Sequence, residues 1–292
     1  LTGDWCFHET DRQIMDIVKT FNQIRQAPNL KSESVGLVPT MGALHRGHLA
    51  LIRTARLEND VVVASIFVNP SQFDDSDDLA NYPRNLGKDL GLLEQEGVDI
   101  VYLPSDDEIY PEGFDTWIEP GPWANKLEGV ARPGHFRGVS TVVTKLFNQI
   151  QPNRAYFGQK DGQQVAVIKH LVLDLNIPVE IRVIDTVREP DGLALSSRNN
   201  QLTPEERLSA RLVYKSLLGA LELFRAGEMV ADKLRDPVFE ILLSELKQEQ
   251  IEYITIVDPD TFEDLQSLTG EALILVSVRF GKVRLIDNLT LS

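Results

Sequence analysis

The sequence predicts an α/β protein in which a parallel sheet with helices on both faces precedes a smaller α+β unit with a short antiparallel sheet. Short β-branched runs occur at 35–38, 61–68, 98–103 and 179–187. Segments of helical spacing separate them, at 48–58, 85–96, 138–150 and 163–175. Strands that alternate with helices are typical of parallel sheets covered on both faces, whose ligands bind beyond the carboxyl ends of the strands.

The pattern changes after about residue 187, where we expect the smaller unit to begin. The stretch "LTPEERLSARLVYKSLLGALELF" opens with Thr203 as a cap and Pro204 at the first helical position, then continues with helical apolar spacing. Gly281 lies between two apolar runs and indicates an antiparallel hairpin. The other segments of this unit are a helix at 231–249 and apolar runs at 251–257, 272–278 and 282–287. The predicted domains are therefore 1–187 and 188–292.

The composition is that of an ordinary globular protein, but the charge is strongly acidic. Of 292 residues, 42% are hydrophobic and 25% are charged, and the formal net charge is −15. An acidic surface repels a phosphate backbone, so binding of extended nucleic acid is not expected. A few cations gathered at one site could still bind a small anion, because distant charges are screened over about 8–10 Å.

Cysteine content and hydropathy favour a cytoplasmic protein that makes no contact with a membrane. Cys6 is the single cysteine, so an intrachain disulfide is excluded and a reducing compartment is expected. The longest strongly apolar run, residues 61–68, is far shorter than the roughly 20 residues that a membrane-spanning helix needs. The first residues, "LTGDWCFHETD", lack the basic and apolar regions of a secretion signal.

The stretch "PTMGALHRGHLAL", residues 39–51, is the first candidate site. Gly42 and Gly47 have the glycine spacing of a P-loop, but His48 and Leu49 stand where Lys and Ser or Thr are required. A dinucleotide fingerprint is also missing after this first strand. A strand, a tight turn and His-x-Gly-His at a helix N-terminus remain, and unpaired N–H groups at such a terminus suit a phosphate.

Taken alone, the two histidines leave three interpretations open. His45 and His48 could donate hydrogen bonds to phosphate oxygens as charge shifts during a reaction. Histidines at this separation also occur in zinc sites, although no acidic or cysteine ligand lies at a matching spacing nearby. In the third interpretation, one histidine caps the helix and the other faces water.

Further polar loops follow other strands and strengthen the phosphate interpretation. "FGQKDGQQ" at 157–164 supplies Lys160 between two glycines, with Gln164 on the same helical face. "VREPDGLALSSRNN" at 187–200 brings Ser196, Ser197 and Arg198 together after an Asp-Gly turn. "VNPSQF" leaves Gln72 at the end of the second strand, where its amide could orient a carboxylate without neutralising it. Each loop alone could be an ordinary polar surface.

The combination of "PTMGALHRGH", "VNPSQF", "YPRN", "PGHFRGVSTVVTKLFN", "FGQKD" and "VREPDGLALSSRN" resembles the pantothenate synthetase family, from about residue 35 to the C-terminal strands. That family belongs to the His-x-Gly-His nucleotidyltransferases, whose catalytic core is similar to that of class I aminoacyl-tRNA synthetases. The resemblance implies a Rossmann-like nucleotidyltransferase domain followed by a smaller lid domain. It also implies that pantoate is joined to β-alanine with ATP, through a pantoyl adenylate, with release of AMP and pyrophosphate.

The resemblance also implies roles for individual residues. His48 would be the catalytic histidine, with His45, Lys160 and Arg198 acting beside it on the phosphates. Gln72 and Gln164 would bind pantoate, and Asp89 would contact magnesium. The ATP contacts would be Met41, Gly42, Ala43, Leu44, His45, Arg46, Gly47, His48, Gly158, Gln159, Lys160, Asp161, Val187, Leu195, Ser196, Ser197 and Arg198.

The same resemblance implies Mg²⁺ with the ATP, small-molecule partners and a homodimer. Two other functions compete with it. One is a nucleotidyltransferase that adenylates a phosphate ester or charges tRNA, although the net charge of −15 disfavours tRNA. The other is a nucleotide-sensing protein that binds ATP without catalysis.

Overall fold

A computed structural model of the protein describes residues 15–27, 30, 34–74 and 76–292. Residues 16–184 supply a six-stranded sheet and 251–291 a three-stranded one. Strands of the larger sheet are β1 (Asp16–Val18), β2 (Val35–Thr40), β3 (Val61–Ile66), β4 (Ile100–Tyr102), β5 (Arg154–Gly158) and β6 (Glu180–Ile184). The helices of this part are α1 (Phe21–Gln26), α2 (Arg46–Glu58), α3 (Ser76–Asn81), α4 (Leu86–Gln95), α5 (Asp106–Ile109), α6 (Glu128–Ala131), α7 (His135–Ile150) and α8 (Gly162–Asp174).

All neighbouring strands of the larger sheet are parallel, in the order β1-β4-β3-β2-β5-β6. β2 therefore lies between β3, which follows it in the chain, and β5, which comes much later. The order reverses at this point, and ligands of open α/β sheets bind in the crevice that such a reversal leaves. The loops after β2 and β5 leave the sheet on either side of that crevice.

Both faces of the central strands β2 and β3 are buried, as their mostly apolar sequences require. Val38, Val62 and Ala64 pack on one face with α2 and α4. Leu37 and Val63 pack on the other face with α7 and α8. Each of these two strands sends alternate side chains into the two cores, so a mostly apolar run is needed.

The smaller unit contains α9 (Pro204–Arg225), α10 (Ala231–Leu243) and an antiparallel sheet of β7 (Ile251–Val257), β8 (Ala272–Phe280) and β9 (Val283–Leu291). The predicted cap is present at α9, where the hydroxyl of Thr203 accepts from the backbone N–H of Glu206. The hairpin between β8 and β9 turns at Gly281, whose φ of +53° is in the left-handed region. Leu273 and Leu275 of β8 pack on Ala166 of α8, which joins the two units.

The predicted fold class is confirmed, with differences at the ends of elements. The structure adds β1 and β5, two short strands that the apolar runs alone did not delimit. The helix predicted at 231–249 ends at Leu243, and the strand predicted at 282–287 continues to Leu291. Cys6 lies outside the described residues.

Two glycines inside helices give a test of the packing. A methyl group at Gly138 in α7 would lie 2.5 Å from the carbonyl oxygen of Ser71, whereas none of the described atoms comes within 4 Å at Gly91 in α4. Gly91→Ala should raise the free energy of unfolding by about 0.5–1 kcal/mol through helix propensity. Gly138→Ala has the same propensity gain but should lower it by about 1–3 kcal/mol, because the backbone of Ser71 must move. Urea unfolding measures the free energy of unfolding of both variants. Equal changes for the two would show that α7 leaves room for a side chain beside Ser71.

Candidate active site

One cleft lies beyond the carboxyl ends of β2 and β5, with the smaller unit forming its opposite wall. It contains the three groups whose convergence is needed for phosphate binding, His48, Lys160 and Arg198. The other predicted residues that line it are Met41, His45, Gly47, Gln72, Gly158, Asp161, Gln164, Val187, Leu195, Ser196 and Ser197. Predicted residues that do not line it are Gly42, Ala43, Leu44, Arg46, Gln159 and Asp89.

The turn after β2 places the two imidazoles side by side. Gly42 and Ala43 have φ values of +81° and +51°, so the chain reverses in the left-handed region before α2 begins. The Nδ1 of His45 accepts from the N–H of Gly47 at 3.1 Å, and the Nδ1 of His48 accepts from the N–H of His45 at 3.3 Å. The ring centroids are 4.1 Å apart. His45 therefore caps the helix, as the third interpretation has it, but His48 lines the cleft.

Both imidazoles are held neutral at physiological pH. Desolvation lowers the pKa of His48 to about 3, and the neighbouring His45 and Lys160 act in the same direction. Desolvation, followed by the charge of Lys160, also lowers the pKa of His45. Because each Nδ1 accepts a backbone hydrogen bond, the proton of each neutral ring belongs on Nε2. The pair thus supplies N–H donors without supplying positive charge.

The zinc interpretation finds no ligand set in the part of the chain that the structure describes. No group of three or more His, Cys, Asp or Glu side chains is arranged there to hold a metal ion. A structural zinc site needs four such ligands and a catalytic one needs about three.

Asp89 in α4 holds the backbone of the turn. Asp89 is 2% exposed, and its carboxylate accepts from the N–H groups of Ala43 and Leu44, at 2.9 and 2.8 Å. A carboxylate that accepts two backbone N–H groups fixes a strained turn at the position where the two imidazoles follow. Its contact with magnesium remains a prediction.

Gln72 is oriented by a buried asparagine. The amide nitrogen of Asn69 donates to the Oε1 of Gln72 at 3.1 Å and to the carbonyl of Gly138 at 3.2 Å. The Oδ1 of Asn69 accepts from the hydroxyl groups of Ser71 and Tyr110, at 2.9 and 2.8 Å. With its own amide fully occupied, Asn69 fixes which end of the Gln72 amide is oxygen.

Two residues that the sequence interpretation did not select also line this part of the cleft. The Nδ1 of His135 donates to the carbonyl of Gln72 at 2.9 Å, and a guanidinium nitrogen of Arg132 donates to the same carbonyl at 3.1 Å. Desolvation and the adjacent Arg132 lower the pKa of His135 to about 4. The helix that carries His135 begins three residues before the predicted 138, so this side chain lies outside the predicted helix.

Cations from two loops act on the same part of the cleft. The chain leaves β5 at Gly158, makes a 3₁₀ turn over Gln159–Asp161, and enters α8; we call Gln159–Asp161 the Lys160 turn. The ammonium of Lys160 lies 3.1 Å from the carboxylate of Asp161. Desolvation opposes ionisation of Asp161, but Lys160 and then Arg198 lower its pKa. The two cations therefore share one electrostatic environment.

Arg198 approaches from the connection between the units. Ser196 accepts from the N–H of Arg198 at 3.3 Å and caps a 3₁₀ turn over Ser197–Gln201. The Arg198 guanidinium lies 3.4 Å from the carboxylate of Asp78 in α3, and both side chains are 40% exposed. A pair this exposed contributes little to stability, so Arg198 can exchange Asp78 for an anionic ligand at small cost.

Comparison with known proteins gives one consistent family. The family model for pantoate-beta-alanine ligase matches residues 13–290. The chain is 52% identical over 274 residues to the pantothenate synthetase of Roseiflexus castenholzii, covering 94% of this chain and 98% of that protein. It is 50% identical over 278 residues to that of Acetivibrio thermocellus, with coverage of 94% and 98%.

Solved structures agree in fold over nearly the whole chain. The pantothenate synthetase of Thermus thermophilus superposes with a TM-score of 0.88 at 47% identity, over 94% of this chain and 99% of that one. The pantoate-beta-alanine ligase of Francisella tularensis, a complex with β-γ ATP and β-alanine, gives a TM-score of 0.74 at 39% identity, with coverage of 94% and 97%. In the described residues, none of the helices is long and apolar enough to cross a membrane. The chain belongs to the pantoate–β-alanine ligase family.

Proposed function

We propose that this protein condenses pantoate with β-alanine at the expense of ATP and forms pantothenate through a pantoyl adenylate. The observation that carries the proposal is the cleft in which His48, Lys160 and Arg198 converge beside Gln72. This arrangement suits phosphate chemistry on a carboxylate. Among the described residues the cleft offers donors and cations, and it has no Ser-His-Asp or Cys-His nucleophile arrangement.

In the first step a carboxylate oxygen of pantoate attacks the α-phosphorus of ATP. The bond from that phosphorus to the bridging oxygen of the β-phosphate breaks, and pyrophosphate leaves. Negative charge grows on the phosphate oxygens during this step. The Nε2–H donors of His45 and His48, with the charges of Lys160 and Arg198, would stabilise it.

The pantoate carboxylate must stay nucleophilic while it is held. The neutral amides of Gln72 and Gln164, which both line the cleft, would orient it by hydrogen bonds. A cation in direct contact would lower its nucleophilicity. The backbone carbonyl of Gln72 holds Arg132 and His135 close to the same region, where they would bind the remaining polar groups of the acid.

In the second step the amine of β-alanine attacks the acyl carbon of the adenylate. The bond between that carbon and the phosphate oxygen breaks, AMP leaves, and the amine nitrogen releases a proton to form the amide. Binding the two reactants side by side in the right orientation can be equivalent to a reactant concentration of about 10⁵–10⁸ M. The cleft therefore needs no covalent enzyme intermediate.

Mg²⁺ with the ATP belongs to this proposal. The carboxylate of Asp161 lies in the cleft beside Lys160, and the described residues contain no cluster of three ligands. Mg²⁺ typically binds through substrate phosphates and waters with one or two carboxylates, which fits such a site. When bound it would neutralise charge on the β- and γ-phosphates. Asp89 remains a predicted magnesium contact, and we assign to its carboxylate the positioning of Ala43 and Leu44.

The two-domain division, with a boundary near residue 187, is part of the proposal. Val187 lies just beyond β6, and the segment that follows carries Ser196–Arg198 to the cleft. Residues 188–292 would act as a lid that shields the adenylate from water. Solution scattering with ATP and pantoate should show a smaller radius of gyration than without them, and identical curves would contradict a moving lid.

We also propose a cytoplasmic homodimer, on the resemblance and on the single cysteine. Sedimentation equilibrium of the purified protein would contradict the dimer if it gave the 32.8 kDa monomer mass at micromolar concentration. Recovery of the native protein from an extracytoplasmic fraction would contradict the compartment.

Product analysis tests the function and separates it from its two competitors. With Mg²⁺, ATP and pantoate, we expect pyrophosphate release, and with β-alanine added we expect AMP and pantothenate in equal amounts. Removal of Mg²⁺ with EDTA should abolish both. Product formation with a phosphate ester or with tRNA in place of pantoate would favour another nucleotidyltransferase. ATP binding without release of pyrophosphate from any acid would favour a sensing protein.

A pair of substitutions tests the role of His48 as a neutral donor. His48→Ala should lower the rate of pantoate-dependent ATP–pyrophosphate exchange about 10²–10³-fold, the usual effect of losing one preorganised donor. His48→Gln restores a neutral N–H donor and should recover about tenfold of that loss. Because the pKa of His48 is lowered to about 3, the wild-type rate should show no inflection near pH 6.5 between pH 8 and 6.

His170→Ala is the matched control, since His170 bonds to the carbonyl of Asp260 at 2.7 Å and does not line the cleft. It should leave the exchange rate unchanged. Equal rates for His48→Gln and His48→Ala, together with a wild-type inflection near pH 6.5, would mean that His48 acts as a base.

A further inference from the structure

Asn288 in β9 connects the smaller unit directly to the Lys160 turn. Its amide nitrogen donates to the backbone carbonyls of Gln159 and Lys160, at 2.8 and 2.9 Å. Its Oδ1 accepts from the side-chain amide of Gln159 at 3.0 Å. The Asn288 side chain donates two hydrogen bonds and accepts one, and these three bonds join the C-terminal sheet to the turn that carries Lys160.

The contact is close and enclosed. Asn288 is 2% exposed, and a methyl group added at Gly162, the first residue of α8, would lie 3.2 Å from its amide nitrogen. An amide has two N–H donors, and Asn288 uses both on carbonyls of the Lys160 turn. At a buried site, a carbonyl that loses such a donor becomes costly.

The residue before Asn288 makes a second tie, to the connection between the units. The carboxylate of Asp287 accepts from both terminal nitrogens of Arg188, at 2.5 and 3.0 Å. The Arg188 guanidinium also lies 3.7 Å from the ring centroid of Tyr214. Arg188 pairs across a bridge with Ala194, just before the loop of Ser196 and Arg198. Neighbouring residues of β9 thus hold both loops that carry cations into the cleft.

The Lys160 turn has few restraints of its own. It is a single 3₁₀ turn between β5 and α8, and its N-cap residue is Gly158, which has no side chain to bond to the turn. The lysine ammonium bonds to Asp161 in the same turn, which does not fix the turn relative to the cleft. The bonds from Asn288 supply that external reference.

We propose that Asn288 is a positioning residue for adenylation, which sets the Lys160 turn through its two carbonyls and so couples the seating of the smaller unit to phosphate binding. The proposal rests on the proposed function for its catalytic consequence. Its structural part, the hold of Asn288 on the turn, is independent of that function. Opening of the cleft by rotation of the smaller unit would break these bonds and release the turn.

The test compares Asn288→Ala and Asn288→Ser with Thr255→Val. Thr255 lies in β7 of the same sheet and is 6% exposed, and its hydroxyl bonds to Asp264 at 2.7 Å within the smaller unit. Thr255→Val therefore removes a hydrogen bond from this sheet without touching the Lys160 turn. Thermal unfolding identifies the variants that fold, and Asn288→Ser, which keeps one donor, replaces Asn288→Ala if the latter does not.

Hydrogen exchange followed by mass spectrometry tests, without any substrate, whether Asn288 holds the Lys160 turn in place. In the Asn288 variants the peptide covering 157–164 should exchange at least about tenfold faster than in the wild type, while a peptide from β8 keeps its wild-type rate. Thr255→Val should leave 157–164 unchanged. Unchanged exchange of 157–164 in a folded Asn288 variant would overturn the proposal, whatever the activity of the protein.

A double-mutant cycle with Lys160→Gln tests whether Asn288 affects adenylation through Lys160. Asn288→Ala should lower the maximal rate of ATP–pyrophosphate exchange about tenfold, with KM for pantoate within about twofold of wild type. In the Lys160→Gln background the same change should cost less than about threefold, because Asn288 acts through Lys160. A full tenfold loss in both backgrounds would overturn the coupling. A wild-type protein without exchange activity would refute the proposed function and leave the hydrogen-exchange result to decide the hold on the turn.

Discussion

The position of β2 between β3 and β5 is the constraint on which the rest of the site depends. Helix α2, which follows β2, packs on one face of the sheet, and α8, which follows β5, packs on the other. The two loops therefore diverge as they leave neighbouring strands, and a crevice opens between them. His45 and His48 border it on one side and Lys160 on the other. An exchange of β2 and β3 in the strand order would place a strand between the imidazoles and the lysine without changing any residue of either loop.

The electrostatics of the cleft resolve an apparent conflict between an acidic protein and an anionic substrate. The chain carries a net charge of −15, yet Arg132, Lys160 and Arg198 are gathered at one place. Charged imidazoles would add repulsion to these cations, and desolvation makes that charge unfavourable as well. Neutral rings avoid both costs. Their Nδ1 atoms are occupied by backbone N–H groups, so each ring offers Nε2–H to a ligand. The imidazole N–H donors have a fixed direction, and the cations supply positive charge. Together they can stabilise negative charge that moves between phosphate oxygens during a reaction.

Local signals predicted the parallel sheet, the helix caps and the loops at the carboxyl ends of strands, because hydrophobic period and turn chemistry are encoded over a few residues. Long-range contacts could not be predicted in this way. The two bonds from Asp89 to Ala43 and Leu44 span more than forty positions of sequence. Those from Asn288 to the Lys160 turn span more than 120. Nothing in the neighbourhood of Asn288 distinguishes it from an ordinary polar side chain of a strand, and Asp89 was predicted through the family resemblance only as a magnesium contact.

The two parts of the cleft are held by different elements, so a movement of the smaller unit affects them differently. The part around Gln72 is formed by residues of the larger unit. There Asn69 is 1% exposed, and Gly138 of α7 lies too close to the backbone of Ser71 to leave room for a side chain. The part around Lys160 and Arg198 is shared, since β9 and the connection after β6 both reach it. Rotation of the smaller unit would therefore act most directly on the part around Lys160 and Arg198, where it would break the bonds that Asn288 makes to the Lys160 turn. In the proposed function, pantoate would then bind to a surface that the larger unit forms, and Lys160 and Arg198 would reach the phosphates when the units meet.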